Sequence, residues 1–153
     1  MSKAFPLKIL LNLAQHKNDA ATRSLGQLNQ YHQSAQNKLE MLQQYRRDYL
    51  EKLQGAEKNG MELQDLRNFQ DFIYRLNDAI AQQTNVVAQT RLSVEKGRDE
   101  LSETQRRMKS FDTLSKRHDE AEKKFEAKLE QKIQDEHSGR RAAYNNAEHG
   151  EKN

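Results

Sequence analysis

Apolar residues recur along the first third of the chain at alternating steps of four and three. From Leu7 the steps land on Leu11, Ala14, Asn18, Ala21, Leu25, Leu28, His32, Ala35, Leu39, Leu42, Arg46, Tyr49, Leu53 and Ala56. Only Asn18, His32 and Arg46 break the apolar or tyrosine character of that series. A register held this long predicts a coiled-coil helix rather than an ordinary amphipathic one. In one half of it leucine alternates with a polar residue: Leu11, Asn18, Leu25, His32, Leu39, Arg46, Leu53. Polar seam residues cost stability and can fix register and partner number. Asn18, His32 and Arg46 are therefore read as register devices.

Gly55, Asn59 and Gly60 interrupt the pattern, as turn residues do. Asn59 is placed to cap a second helix, with Glu62 three residues on as in a capping box. A second series then runs Leu66, Phe69, Ile73, Leu76, Ile80, Gln83, Val87, Thr90, Val94, Gly97, Leu101, Thr104, Met108, Phe111, softened at Gln83, Thr90, Gly97 and Thr104. After Phe111 the phase slips. Leu114, Ala121, Phe125, Leu129 and Ile133 continue an apolar stripe out of step, which alters supercoiling locally.

The pattern predicts an all-α fold: a long two-helix antiparallel coiled-coil hairpin with a longer second helix. Residues 1–137 form a single hairpin, with helix one over about 5–55, a turn at about 56–64 and helix two over about 65–137; the short connection makes the helices antiparallel. Gly139, Asn145, Asn146 and Gly150 predict a disordered tail over 138–153. Folding about residue 60 pairs position i with roughly 120 − i, so helix one is exhausted when helix two reaches about 115. Residues 116–137 are then an overhanging helix, lone or dependent on a partner. Their mixed charges support it through pairs four residues apart.

Composition agrees with a thin seam. Hydrophobic residues are 34% of the 153, charged ones 32%, and mean hydropathy is −1.16. A globular domain is about 45–50% apolar, so this chain can cover a seam but not fill a compact core. One proline and six glycines argue against a loop-rich or low-complexity chain. A helical hairpin has no concave walls for a catalytic pocket, and neither a P-loop nor a GxSxG motif occurs. Asp99-Glu100, Asp119-Glu120 and Asp135-Glu136 fall on solvated helix, where nothing desolvates them. His16, His32, His118, His137 and His149 make no zinc spacing, and the pair His118 and Glu122 is one that chance often supplies. The chain is read as non-enzymatic, without metal or cofactor.

The net charge is +3, with acids and bases interleaved and no long basic block. Nucleic acid is not an expected partner. The absence of cysteine fits a reducing cytosol. The first residues superficially resemble a signal peptide, but Lys8 interrupts the apolar run and no small-residue cleavage site follows. A helix start with Pro6 in its first turn is the better reading. No segment approaches the roughly 20 apolar residues that span a bilayer, so no direct membrane insertion is expected.

Two surfaces remain. Leu42, Tyr45 and Tyr49 on helix one, and Phe72, Leu76 and Ala79 on helix two, fall near the closed end. Leu42, Tyr49 and Leu76 belong to the seam as well, while Tyr45, Phe72 and Ala79 exceed what it needs. Grouped exposed aromatics are typical of protein interfaces; the competing reading is that they thicken the seam. At the open end Lys8, Lys17 and Arg23 meet Arg106, Arg107 and Arg117, diluted by Asp19, Glu103, Asp112 and Asp119. This is either scattered solvated charge or a docking surface for an acidic partner.

The ordered set Leu7-x-x-Leu10-x-x-Leu13-Ala14, Leu25-Gly26, Met41-Leu42-x-x-Tyr45-Arg46-x-x-Tyr49 resembles the flagellar FliJ family. So do Phe69-x-x-Phe72-Ile73-x-x-Leu76-x-x-Ala79-Ile80-x-Gln82, Phe111-x-x-Leu114-x-x-Arg117 and Gln131-Lys132-x-x-Asp135-Glu136. The resemblance implies a component of the flagellar type III export apparatus, built like the stalk of a rotary ATPase. It implies an open end that enters a hexameric export ATPase and promotes its activity, and contacts with export chaperones. It also implies a gate-binding surface at Leu42, Tyr45, Tyr49, Phe72, Leu76 and Ala79, which engages the cytoplasmic domain of the membrane export gate. The pattern departs from the family at Lys38 and Gln83, where a glutamine-like and a histidine-like residue are expected. The protein is then cytoplasmic, peripheral to the inner membrane at the flagellar base, and monomeric in isolation. The competing function is a homodimeric structural spacer or scaffold, with heptads satisfied between chains.

Overall fold

The computed structural model describes residues 4–150. They form two helices, α1 (Ala4–Lys58) and α2 (Leu63–Gly150), packed against each other, with α2 the longer. Contacts group the chain into two compact units where the pattern predicts one hairpin over 1–137. One unit is His16–Gln105; the other joins Met1–Gln15 to Arg106–Asn153.

His16–Gln105 is an antiparallel helical hairpin. At its closed end the Asn59 amide bonds Gly55 O at 3.3 Å and Ala56 O at 3.2 Å, and the Gly60 amide bonds Glu57 O at 3.4 Å. Gly60 then turns the chain out of the helix with φ at 79°, a conformation that glycine adopts without the Cβ penalty. Asn59 thus finishes α1 and does not cap α2. The first α2 bond runs from Leu66 N to Glu62 O at 3.1 Å, which puts Glu62 at the cap position. Glu62 and Asp65 set negative charge near the positive end of the helix dipole.

Every heptad position from Asn18 to Ala56 on α1, and from Leu66 to Thr104 on α2, is buried or half-buried. Ala35, Leu76, Ile80 and Val94 form the apolar core of this unit. No side chain among the described residues reaches full burial, the signature of a seam covered on two sides only. At Gly97 an added Cβ would lie 2.8 Å from Leu28 Cδ1 and 3.3 Å from Leu25 Cδ1. The missing side chain is the space those leucines use.

The polar positions of α1 meet the polar positions of α2. Asn18 Oδ1 accepts from Thr104 Oγ1 at 3.1 Å, His32 Nδ1 lies 2.9 Å from Thr90 Oγ1, and Arg46 Nη1 donates to Asn77 Oδ1 at 3.0 Å. The Thr90 hydroxyl also reaches Val87 O at 2.9 Å, and the Thr104 hydroxyl reaches Leu101 O at 2.8 Å. Buried Gln83 donates from Nε2 to Ala35 O at 3.0 Å. Among the described residues no buried side-chain polar atom lacks a partner.

In the other unit Ala14 is buried, and Leu7, Leu11, Met108 and Phe111 are half-buried. Beyond Phe111 the sheltered positions stay in heptad step at Ser115, His118 and Glu122, although these are polar. The apolar stripe is the exposed one: Leu114, Ala121, Phe125, Leu129 and Ile133 all face solvent. From Lys123 to Gly150 every residue is exposed, yet the helix continues to Gly150. The tail expected over 138–153 is therefore helical as far as the described residues reach. Elongating an existing helix avoids the costly nucleation step, and Arg140, Arg141, Ala142 and Ala143 are good helix formers.

The two kinds of leucine should respond differently to truncation. Leu76→Ala is expected to cost about 2–4 kcal/mol by loss of transfer energy and cavity formation. Leu129→Ala should stay within about 0.5 kcal/mol, as exposed substitutions do. Urea titration followed by circular dichroism measures both, and equal effects would contradict this account of the seam.

Candidate functional site

A two-helix seam has two edges, and here they differ. One carries Gln36 and Gln43 of α1 with Asn77 and Thr84 of α2, an almost wholly polar row broken by Leu50. The opposite edge carries Tyr31, Lys38, Tyr45 and Lys52 of α1 with Phe72, Ala79 and Val86 of α2. The heptad register alone places these residues beside the seam rather than in it. Apolar residues there add no more to the helix–helix core than their partial burial allows.

The six residues expected to form a binding surface separate into three levels. Leu76 is 7% exposed and belongs to the core. Leu42, Tyr49 and Ala79 are half-buried at the edge. Tyr45, at 52%, and Phe72, at 40%, face solvent. The competing idea, that the group thickens the seam, thus holds for Leu76 and not for Tyr45 or Phe72. Tyr49 joins the levels: its ring stacks on Phe72 with centroids 4.2 Å apart and an interplanar angle of 29°. It also meets Phe69 at 5.4 Å in a tilted arrangement. Lys52 Nζ sits 5.9 Å from the centre of the same ring. Such aromatic pairs contribute about 0.5–1.5 kcal/mol beyond their burial. Phe72 is therefore held in place by one face while the rest of it meets solvent.

Tyr31 and Val86 were not among the expected residues, yet they lie on the same edge, 68% and 41% exposed. Their signal was present in the sequence: each falls two heptads from an expected residue, Tyr31 before Tyr45 and Val86 after Phe72. It is legible only once the edge, rather than the seam, is followed.

The basic residues expected at the open end are all exposed, but they fall in different units. Lys17 and Arg23 belong to His16–Gln105; Lys8, Arg106, Arg107 and Arg117 belong to the other unit. His118, Asp119 and Glu122 bring ligand-type atoms within 4.8 Å of one another, and His118 Nδ1 lies 3.8 Å from Glu122 Oε1. All three donors come from one turn of α2, and among the described residues no ligand-type side chain of α1 joins the group.

Fold and site define a two-helix coiled coil whose working parts are surfaces, not a pocket. The sequence model described as "Flagellar FliJ protein" matches residues 2–147. Two proteins of that name, from Salmonella typhi and Escherichia coli (strain K12), are each 30% identical over 142 residues. That span covers 93% of this chain and 97% of the relative in both cases. The chain belongs to the FliJ family of flagellar proteins. It is accordingly a flagellar export component of structural kind, not an enzyme. Among the described residues no helix is long and apolar enough to cross a membrane.

The ring geometry makes Tyr49 and Tyr45 unequal. Tyr49→Ala should destabilise the protein by about 2 kcal/mol through lost packing against Phe69 and Phe72, near the lower range for large aromatic truncations. Tyr45→Ala should change stability by no more than about 0.5 kcal/mol. Thermal melts of the two single variants test this, and a Tyr45 loss as large as that of Tyr49 would return Tyr45 to the core.

Proposed function

We propose that this protein is a stalk and adaptor in flagellar protein export, docking in the export ATPase hexamer and linking it to the membrane export gate and to export chaperones. The observation that carries the reading is the exposed aromatic edge of a chain that belongs to the FliJ family over nearly its whole length. In this reading Tyr45 and Phe72 touch the cytoplasmic domain of the gate, with Leu42, Tyr49 and Ala79 at their margin. Leu76 supports them from the core. Tyr49 acts largely by orienting Phe72, so binding orders few side chains that were free beforehand. Preorganisation of that kind lowers the entropy cost of association.

The ATPase contact rests on charge. Lys17 and Arg23 in one unit, and Lys8, Arg106, Arg107 and Arg117 in the other, offer exposed bases to an acidic pore wall. A single copy in a six-fold pore contacts its six neighbours unequally, and so favours one subunit state at a time. The protein works on the cytoplasmic side, peripheral to the inner membrane at the flagellar base. It is monomeric in isolation: the polar seam residues of His16–Gln105 are paired within one chain, which leaves a second copy nothing to satisfy there.

Two measurements test the reading. Tyr45→Ala combined with Phe72→Ala is expected to keep the helical circular dichroism signal and weaken binding to the purified gate cytoplasmic domain by at least about tenfold, the scale of an interface hot spot. Retained affinity would remove the aromatic edge from the gate contact. Reversing Arg106 and Arg107 to glutamate should reduce stimulation of the cognate ATPase, most strongly at low salt, since exposed charges more than about 10 Å apart are screened at 0.1 M. Absence of stimulation by the native protein would overturn the stalk reading.

A further inference from the structure

From Ala121 to Ile133, α2 carries three parallel rows of side chains, each stepping by four. Ala121, Phe125, Leu129 and Ile133 make the middle row, and all four are exposed. Lys124, Lys128 and Lys132 run along one side of it, and Glu122, Glu126 and Glu130 along the other. Every charged pair four residues apart between 122 and 132 therefore has like sign. Such pairs destabilise a lone helix, so this arrangement does not serve the helix that carries it. Lys128 and Glu130 have no opposite charge three or four residues away on either side. Between the middle row and the lysine row lies a shallow groove of about 570 Å³, bounded by Phe125, Leu129 and Ile133 on one side and by Lys128, Lys132 and Glu136 on the other.

We propose that this face pairs two copies of the chain, with their α2 helices running in the same direction. Rows that step by four are helix ridges, and when such ridges of two helices interdigitate the axes cross at about −50°. The apolar ridge of each copy then drops into the lysine-side groove of the other. The charges select both the occupant and its direction. In two copies running the same way, a two-fold axis sets the lysine row of each against the glutamate row of the other. In copies running opposite ways, lysine would meet lysine. The face thus carries both halves of its own complement, which is what a second copy supplies. The lysine stems lie over the apolar row of the other copy and carry their ammonium groups to its glutamates. The contact is small. A few apolar side chains from each copy fall short of the roughly 1,200 Å² that stable interfaces bury, and each must be immobilised on pairing. The free chain is therefore monomeric when dilute and pairs when concentrated. The proposal needs neither the gate contact nor the ATPase contact.

Sedimentation of the purified full chain over about a hundredfold range of concentration tests this, since pairing follows mass action. The average mass is expected to rise from monomer towards dimer, and a monomer throughout would overturn the proposal. Phe125→Ala with Leu129→Ala keeps good helix formers at exposed positions, and its circular dichroism should match the native signal. It should lose the rise in mass; pairing as strong as the native protein's would remove the apolar row from the contact. Lys128→Glu with Lys132→Glu, and separately Glu126→Lys with Glu130→Lys, should each pair at least about tenfold more weakly, the scale of a hot-spot cluster. An equimolar mixture of the two should recover pairing, most fully at low salt. Native-like pairing of either variant alone would overturn the charge argument. The chain has no cysteine, so Ala142→Cys gives a single site for a spin label. From Leu129 to Ala142 is roughly 20 Å along the helix. Axes crossing at about 50° then hold the two labelled positions roughly 20 Å apart in copies running the same way, and roughly 35 Å apart in copies running opposite ways. The longer distance would overturn the proposed direction. A native monomer at every concentration, together with loss of ATPase stimulation in Phe125→Ala with Leu129→Ala, would assign the row to the ATPase instead.

Discussion

The register between the two helices of His16–Gln105 governs the character of the surface. An apolar seam rich in alanine and leucine could slide by a heptad at modest cost, because leucine fits against leucine in either register. Three polar contacts remove that freedom. Asn18 meets Thr104, His32 meets Thr90 and Arg46 meets Asn77. Asn18, His32 and Arg46 are spaced two heptads apart, and Thr104 and Thr90 repeat that spacing in the opposite direction. Sliding by one heptad would set Asn18 against Gly97 or Phe111 and His32 against Gly97 or Gln83, and would separate all three pairs. A buried group left unpaired costs about 1–3 kcal/mol, so the part-buried Asn18 and His32 contacts oppose a slip, while exposed Arg46 and Asn77 can exchange their bond for water. Thr90 and Thr104, two of the softened positions of α2, are therefore not weak points but partners for His32 and Asn18.

Once the register is pinned, the edges are determined. Tyr49 can stack on Phe72 only because their heptads are opposed, and the small Ala35 falls opposite Gln83 for the same reason. The polar edge and the aromatic edge then differ in what they can bind, although both flank the same seam. The small apolar content has the same root. A seam needs few residues, leaving most of the surface to polar and charged side chains.

Much of this was readable from spacing. Each residue of the α1 series whose side chain is described is sheltered in the structure, and so is each member of the α2 series, because a heptad is a purely local consequence of helix geometry. The places where spacing misled are those where one residue had two available roles. Asn59 has the chemistry of a helix cap, but it lies one residue before Gly60, whose left-handed conformation ends α1 first. Leu76 satisfies both the seam pattern and the surface pattern, and only its burial decides between them. The end of α2 was misread because glycine and asparagine were weighed as breakers, whereas an established helix loses only about 1 kcal/mol at a glycine. The division into two units had no local signal, since both helices run unbroken through it.

Exposed apolar side chains recur along α2, and the surroundings of Phe72 and of the row through Phe125 set those two apart. Beyond Phe111 the sheltered positions keep the heptad step with Ser115, His118 and Glu122, while Phe125, Leu129 and Ile133 advance by fours. Each step of four turns about 40° past a full circle, so this row winds away from the seam and cannot be covered by extending it. Its side chains are held by local helix contacts alone, and Phe125 is 66% exposed. Phe72 has comparable chemistry but is stacked against Tyr49, which Phe69 buttresses in turn. A free aromatic side chain must be immobilised on binding, at about 0.5–1.5 kcal/mol; one already stacked has lost that freedom during folding. Size and hydrophobicity would rank Phe125 and Phe72 alike. The ordering of the ring separates them, and it makes Phe72 the better prepared of the two for the gate contact proposed above.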